Sequence, residues 1–234
     1  AVAAILLESV PGTAGILVPP KGYLAGVRAL ADEYGILVIL DEVMAGFGRT
    51  GSWLALDHFD IVPDLICFAK GVNSGYVPAG GVMISKPIAE YFDHHFFPGG
   101  LTYSGHPLAM AAIVATLDVM AEEGIVDNAR QIGLEVLGPG LRALAAKYPL
   151  IGEARGIGLF WALEFISDRT LKTPLAAPVM GQMKAAFQAR GLLTFIVENR
   201  LHVVPPCIVN AAQVEDALGI FDEVIGEFSH RYMR

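Results

Sequence analysis

The chain is poor in what several function classes require. Its two cysteines, Cys67 and Cys207, are too few for a disulfide framework or a thiolate metal centre. Each stands inside an apolar segment, where a reduced core residue is expected. Lysine and arginine together number 16 against 24 acids, a net charge of -8, and no run of basic residues occurs. That balance argues against nucleic acid or an anionic membrane surface as the main partner. Apolar stretches are too short and interrupted to span a bilayer, and the first residues lack the basic start of a signal peptide, so a cytoplasmic protein with no membrane partner is expected. His94, His95 and His106 are not spaced with carboxylates as a metal site demands. No GxxxxGK[ST] phosphate cradle, internal repeat or low-complexity linker is found.

What is present is core-forming material: 54% of the 234 residues are hydrophobic. Short aliphatic runs alternate with helical periodicity, the texture of a mostly parallel sheet covered by helices. "AAILLE" (3 to 8), "ILVILD" (36 to 41), "DLICFAK" (64 to 70) and "AGGVMIS" (79 to 85) read as strands. Residues 22 to 34 read as an amphipathic helix with Leu24, Val27, Leu30 and Ala31 on one face, and 107 to 124 as a long Ala-rich helix. From about residue 125 the pattern becomes a helix over 125 to 147, two strands in "IGEARGIGLFWALEF", an exposed loop over 168 to 178, a helix over 176 to 190, strands in "LLTFIV" and "LHVV", and a closing helix from 211. An α/β protein follows, with 1–124 as part of a large domain and 125–234 as a small α+β domain.

The stretch "VILDEVMAGFGRTG" (38 to 51) carries the first chemical signal. A strand ending in two carboxylates suits the metal-holding acid of a nucleotide hydrolase, but that reading lacks its phosphate cradle. Gly46, Gly48 and Gly51 spell GxGxxG, yet "SWLALDHFDIVPD" is too polar and too Pro-stopped to be the helix that receives a pyrophosphate. A third reading makes Asp41 the partner of a cofactor ring nitrogen. It gains from Lys70, which ends the apolar strand "DLICFA", where a solvent-facing lysine is not the default. Both then emerge at the carboxyl edge of one sheet, where such sheets keep their ligands. A structural ion pair is the competing explanation, although desolvation offsets much of the attraction in such a pair.

"LDEVMAGFGRTG", "PDLICFAKG" and "LTYSGHPLA", in that order and spacing, resemble the class III (ω-amino-acid:pyruvate type) aminotransferases, pyridoxal-phosphate enzymes of fold type I. The resemblance runs from residue 1 to the C-terminal helix and covers about the second half of that family's chain. It implies that Asp41 holds a proton on the pyridine nitrogen and that Lys70 carries the cofactor covalently and shuttles the proton in transamination. Val43 would pack on a face of the ring. Thr102 would reach across a homodimer interface to the neighbour's cofactor phosphate, with Ser104 the better candidate for capping the following helix. Glu8 matches the glutamate of the family's "EPxxG", here written "ESVPGTAG" with the proline displaced to Pro11. It would gate a substrate arginine or cap a loop. Arg49 reads as a structural arginine of the glycine loop.

On the substrate side, members that bind an α-carboxylate carry an arginine just before the C-terminal "PP". In "ENRLHVVPPC" that place falls on His202, with Arg200 two residues earlier on the same strand face, so Arg200 is a candidate for the same pocket. The resemblance implies an amino donor, an ω-amino acid or amine, and a keto-acid acceptor such as pyruvate. The alternatives are a non-catalytic fragment or partner subunit, or an aminomutase or decarboxylase of the same fold. The family's N-terminal half supplies a phosphate-holding turn and an aromatic that stacks on the ring, and neither is located in this sequence. Because "AAILLE" reads as an interior strand, neighbouring strands from residues preceding Ala1 or from another chain are expected.

Overall fold

A computed structural model describes residues 1–232. The chain divides into two compact units, one of Ala1–Val10 and Pro19–Val126, the other of Pro11–Val18 with the chain from Asp127 onward.

The first unit runs β1 (Ala4–Glu8), α1 (Tyr23–Tyr34), β2 (Leu37–Asp41), β3 (Leu65–Ala69), β4 (Gly80–Ile84), α2 (Lys86–Phe92) and α3 (Pro107–Glu122). Its sheet has the order β1-β2-β3-β4, with the first three strands parallel and β4 antiparallel to β3. Helix α1 is the crossover from β1 to β2. It buries Leu24 and Ala31 against Val38, Leu40 and Ile61, with Val27 at the edge of that cluster. Leu30 departs from the expected face: it is 51% exposed, because it lies round the helix from Leu24. Arg28 occupies the boundary instead, bonding Asp64 at 2.7 Å and Asp32 at 2.8 Å. The segment from β3 to β4 is too short for a helical crossover, so β4 turns back antiparallel.

The second unit continues from α4 (Ile125–Ile132) through α5 (Gly138–Lys147), β5 (Ile151–Ile157), β6 (Phe160–Asp168), β7 (Thr173–Pro174), α6 (Ala177–Ala189), β8 (Phe195–Val197), β9 (Arg200–Val203) and α7 (Ala211–Tyr232). Its sheet is antiparallel throughout, in the order β5-β6-β9-β8. Alternate residues of β6, Trp161, Leu163 and Phe165, enter a core shared with Met183, Phe187, Phe221 and Val224. The helix expected over 125–147 is broken by a π-helical turn at Gly133–Leu137. Two glycines explain the site of the break. Gly133 lies against the Gly158 backbone, and a Cβ on Gly138 would stand 2.7 Å from Trp161 Cζ2. Part of the loop expected over 168–178 is β7, which pairs with β6 while Leu175 is buried beside it.

Candidate active site

The ends of β1, β2 and β3 lie side by side. Glu8 is level with Asp41 across the β1–β2 pairing, and Asp41 is level with Cys67 across β2–β3. Lys70 follows the end of β3. Parallel pairing therefore delivers a carboxylate and an amine to one carboxyl edge. Asp41 is half-buried. Its Oδ1 accepts the Val43 N–H at 2.8 Å, and among the described residues its other oxygen has no hydrogen-bond partner. Burial, and then the Asp41 charge, push the Cys67 thiol above its ordinary range, so that sulfur stays protonated beside the carboxylate.

Among the described residues no ion pair joins Lys70 to Asp41, so the structural-pair explanation does not account for this lysine. Lys70 is exposed and its backbone is left-handed, at φ +46°. That conformation costs a side-chain-bearing residue about 1–2 kcal/mol. Such strain persists where the surroundings impose it, and it clusters at functional positions. Here the surroundings are visible. Lys70 opens a 3-10 turn, Lys70–Asn73, whose Val72 and Asn73 are buried. The Asn73 amide donates to Val77 O and its carbonyl accepts the Gly75 N–H at 3.1 Å. Helix α3 packs on the turn, and a Cβ on Gly71 would come within 3.0 Å of Phe47 Cβ.

The glycine stretch is thereby explained. No α-helix follows it; the 3-10 turn Ala55–His58 does. The loop folds back on itself through Phe47 N–H to Trp53 O at 2.6 Å and Gly48 N–H to Ser52 O at 3.0 Å, with Gly48 and Gly51 left-handed. Gly46 has no room for a side chain, since its Cβ would stand 2.8 Å from Glu42 O. Glu42, the second acid of "DEV", is the anchor of this loop. It is fully buried and accepts the Ala55 and Leu56 N–H groups at 2.7 and 2.9 Å as well as the Ser9 hydroxyl. Desolvation pushes its carboxyl above the usual range, against those three donors.

The remaining candidates fall in different places. Val43 is half-buried next to Asp41. Thr102 is exposed in the irregular segment between α2 and α3. Helix α3 begins at Pro107 with His106 at its N-cap and no side-chain cap, so Ser104 does not cap it. Arg200 belongs to the second unit. Its guanidinium donates to Ala14 O at 2.9 Å and pairs with Glu198. His202 is buried and its Nε2 has no partner among the described residues; burial, then Arg200 and Arg155, lower its affinity for a proton. Sequence reasoning weighed Glu42 only as the second strand-end carboxylate and passed over Arg155, because their hydrogen-bond partners lie far along the chain. Among the described residues no group of three potential ligands could hold a metal ion, and no helix is long and apolar enough to cross a membrane.

The donor set fits pyridoxal phosphate. A carboxylate with one oxygen fixed by a backbone N–H and the other without a hydrogen-bond partner among the described residues can accept a protonated pyridine nitrogen. The Lys70 amine, which has no ion-pair partner among the described residues, supplies the covalent attachment at the end of the neighbouring strand. When bound, that cofactor withdraws electrons from the carbon that bears the substrate's amine.

The sequence profile of the family described as aminotransferase class-III matches residues 1–225. A 5-aminovalerate aminotransferase from Pseudomonas putida is 40% identical over 97% of this chain and 53% of its own length. A putrescine–pyruvate aminotransferase from Pseudomonas aeruginosa is 34% identical over 93% and 48%. Among solved structures, the taurine:2-oxoglutarate aminotransferase of Bifidobacterium kashiwanohense, in complex with PLP and glutamate, superposes with a TM-score of 0.94 at 44% identity, covering 98% of this chain and 52% of the other. The chain spans about half the length of the curated relatives it matches. With its α/β unit, its antiparallel second sheet and these relationships, the chain belongs to the class III aminotransferases, whose cofactor is pyridoxal phosphate.

Proposed function

We propose that this chain supplies the acid and the amine of an enzyme that moves an amino group from an ω-amino acid or amine to a keto acid such as pyruvate. The observation that carries the reading is the juxtaposition, at the ends of adjacent parallel strands, of Asp41 with a strained Lys70 that has no ion-pair partner among the described residues. In this reading Asp41 keeps a proton on the cofactor's ring nitrogen. Lys70 Nζ holds the cofactor and moves a proton at the amine-bearing carbon. Val43 packs on the ring and excludes water, and Glu8, level with Asp41, stands on the substrate side. The relatives named for 5-aminovalerate and for putrescine with pyruvate support donors whose amine lies at the end of a chain.

The domain division that goes with this reading is 1–124 as part of the large domain and 125–234 as the small domain. Assembly is as a homodimer in the cytoplasm, with Thr102 serving the partner subunit's cofactor phosphate. In support, the segment around Thr102 exposes Phe96, Leu101, Tyr103 and Leu108, an apolar surface of the kind that subunit contact covers. Borohydride reduction of the cofactor-loaded complete protein, followed by peptide mapping, tests the lysine. A pyridoxyl group is expected on Lys70, and finding it on Lys21 or Lys86 sinks the assignment.

A further inference from the structure

The left-handed backbone at the end of β3 falls on Lys70, at φ +46°, although the next residue is a glycine that would adopt it at little cost. Gly71 is not left-handed. Its missing side chain answers a need for space instead: a Cβ there would stand 3.0 Å from Phe47 Cβ and 3.8 Å from Phe47 Cγ. Phe47 also meets the other flank of Lys70, its ring centroid lying 5.9 Å from that of Phe68 on β3. This wedge is itself held in a costly conformation. Phe47 is left-handed at φ +54°, its N–H donates to Trp53 O at 2.6 Å, and the Gly46 N–H before it donates to Glu42 O at 2.9 Å. The buried Glu42 carboxylate closes the far end of the same loop through the Ala55 and Leu56 N–H groups. All of these residues belong to the first unit.

We infer that Phe47 is a positioning residue: it decides which residue makes the turn out of β3, and with it the direction in which the Lys70 side chain leaves the backbone. The chain before Lys70 is fixed by the β3–β4 ladder, which runs to Ala69 opposite Gly80. The chain after it is fixed by buried Val72 and by Asn73, whose side chain bonds Val77 O and the Gly75 N–H. Between these ends only Lys70 and Gly71 can turn. Phe47 stands against Gly71 and holds it in place, so the left-handed conformation is left to the lysine. Rotation about N–Cα swings Cβ relative to the strand behind it, so a left-handed Lys70 sends its stem along a different path from a right-handed one. Without the wedge the glycine takes the turn, and the lysine amine is carried away from its present place.

The consequence for turnover rests on the function proposed above; the wedge itself does not. The experiment crosses Phe47→Gly, Phe47→Ala and Phe47→Leu with Lys70→Gly and Lys70→Ala in the complete protein, read by denaturant unfolding. The three Phe47 variants with Lys70 intact are followed by steady-state kinetics with pyridoxal phosphate bound. With Phe47 present, Lys70→Gly is expected to exceed Lys70→Ala by about fivefold in the folding equilibrium constant. In the Phe47→Gly background that preference is expected to shrink to within about twofold, because residues that share a contact couple where distant ones add. Phe47→Ala, which keeps Cβ alone, is expected to fall between, and it decides the matter if the glycine variant does not fold. Phe47→Leu keeps the carbons that face Gly71 and is expected to keep the preference. In the kinetics, Phe47→Gly is expected to lower kcat about tenfold with KM within about threefold, and Phe47→Leu to bring kcat back to within about threefold. A preference undiminished in whichever of Phe47→Gly and Phe47→Ala folds overturns the wedge. A lost preference with kcat unmoved, or a kcat that Phe47→Leu does not restore, overturns the positioning role. Absence of any transamination in the unsubstituted protein removes the proposed function and leaves the unfolding result to judge the wedge alone.

Discussion

Lys70 and His202 show how much a single residue can carry. Lys70 sits at positive φ without the freedom of glycine. Lys70→Ala keeps that strain, whereas Lys70→Gly removes it, so the glycine variant is expected to be the more stable by about 1 kcal/mol in denaturant unfolding of the complete protein, while both lose turnover. An alanine variant at least as stable as the glycine one would show that the conformation costs nothing. His202 reports on pH. Its proton affinity is lowered in the fold by burial and by the charges of Arg200 and Arg155. Between the ordinary imidazole value of about 6.5 and the lower folded value, the unfolded chain binds more protons, so stability falls as pH falls. Melting between about pH 7.5 and about pH 5.5 is expected to lose a component in the parent that His202→Phe removes; identical pH slopes would contradict this.

At the scale of elements, the loop after β2 depends on one buried carboxylate. Glu42→Gln keeps one acceptor oxygen but turns an amide toward a backbone N–H, stranding the donor of Ala55 or of Leu56 with Ser9. A loss of about 1–3 kcal/mol is expected, with residues 43–58 opening first in hydrogen exchange. A variant with parental stability would remove Glu42 from this role. The elements were well announced by the sequence where periodicity was strong. Strands β2 and β3, helix α7 and the Ala-rich α3 stand within a few residues of expectation. The misses have physical causes. Leu30 is apolar yet faces outward, the π turn at Gly133–Leu137 answers a backbone packed against it, and β7 exists because β6 offers it an edge. None of these partners is near in sequence.

The whole molecule exposes apolar surface at Leu6, Val82, Met83 and Ile84 of the first sheet. A broad hollow of about 730 Å³ lies between Leu37, Leu65, Val82 and Ile84 of that sheet and Ile88, Phe92 and Phe97. Strands with such faces and edges are prone to associate. Residues 1–234 expressed alone are expected to aggregate or to bind a hydrophobic dye, and to take up pyridoxal phosphate weakly. Light scattering and cofactor titration check this. A monodisperse product with sharp thermal unfolding and tight, yellow cofactor binding would show that the chain is self-sufficient.

The sequence alone determined the order of chemical signals: an acid closing one aliphatic strand, a lysine closing the next, and the motifs that resemble class III aminotransferases. Strand periodicity and strand-end chemistry are local, so they survive in a one-dimensional reading. Only the tertiary structure decided that Glu8, Asp41 and Cys67 are level, that Lys70 is strained, and that Glu42 anchors a loop. It also decided that Arg200 bonds Ala14, 186 positions away along the chain. Those facts depend on sheet register and on guanidinium and carboxylate partners distant in sequence, and no local pattern of residues encodes such a pairing.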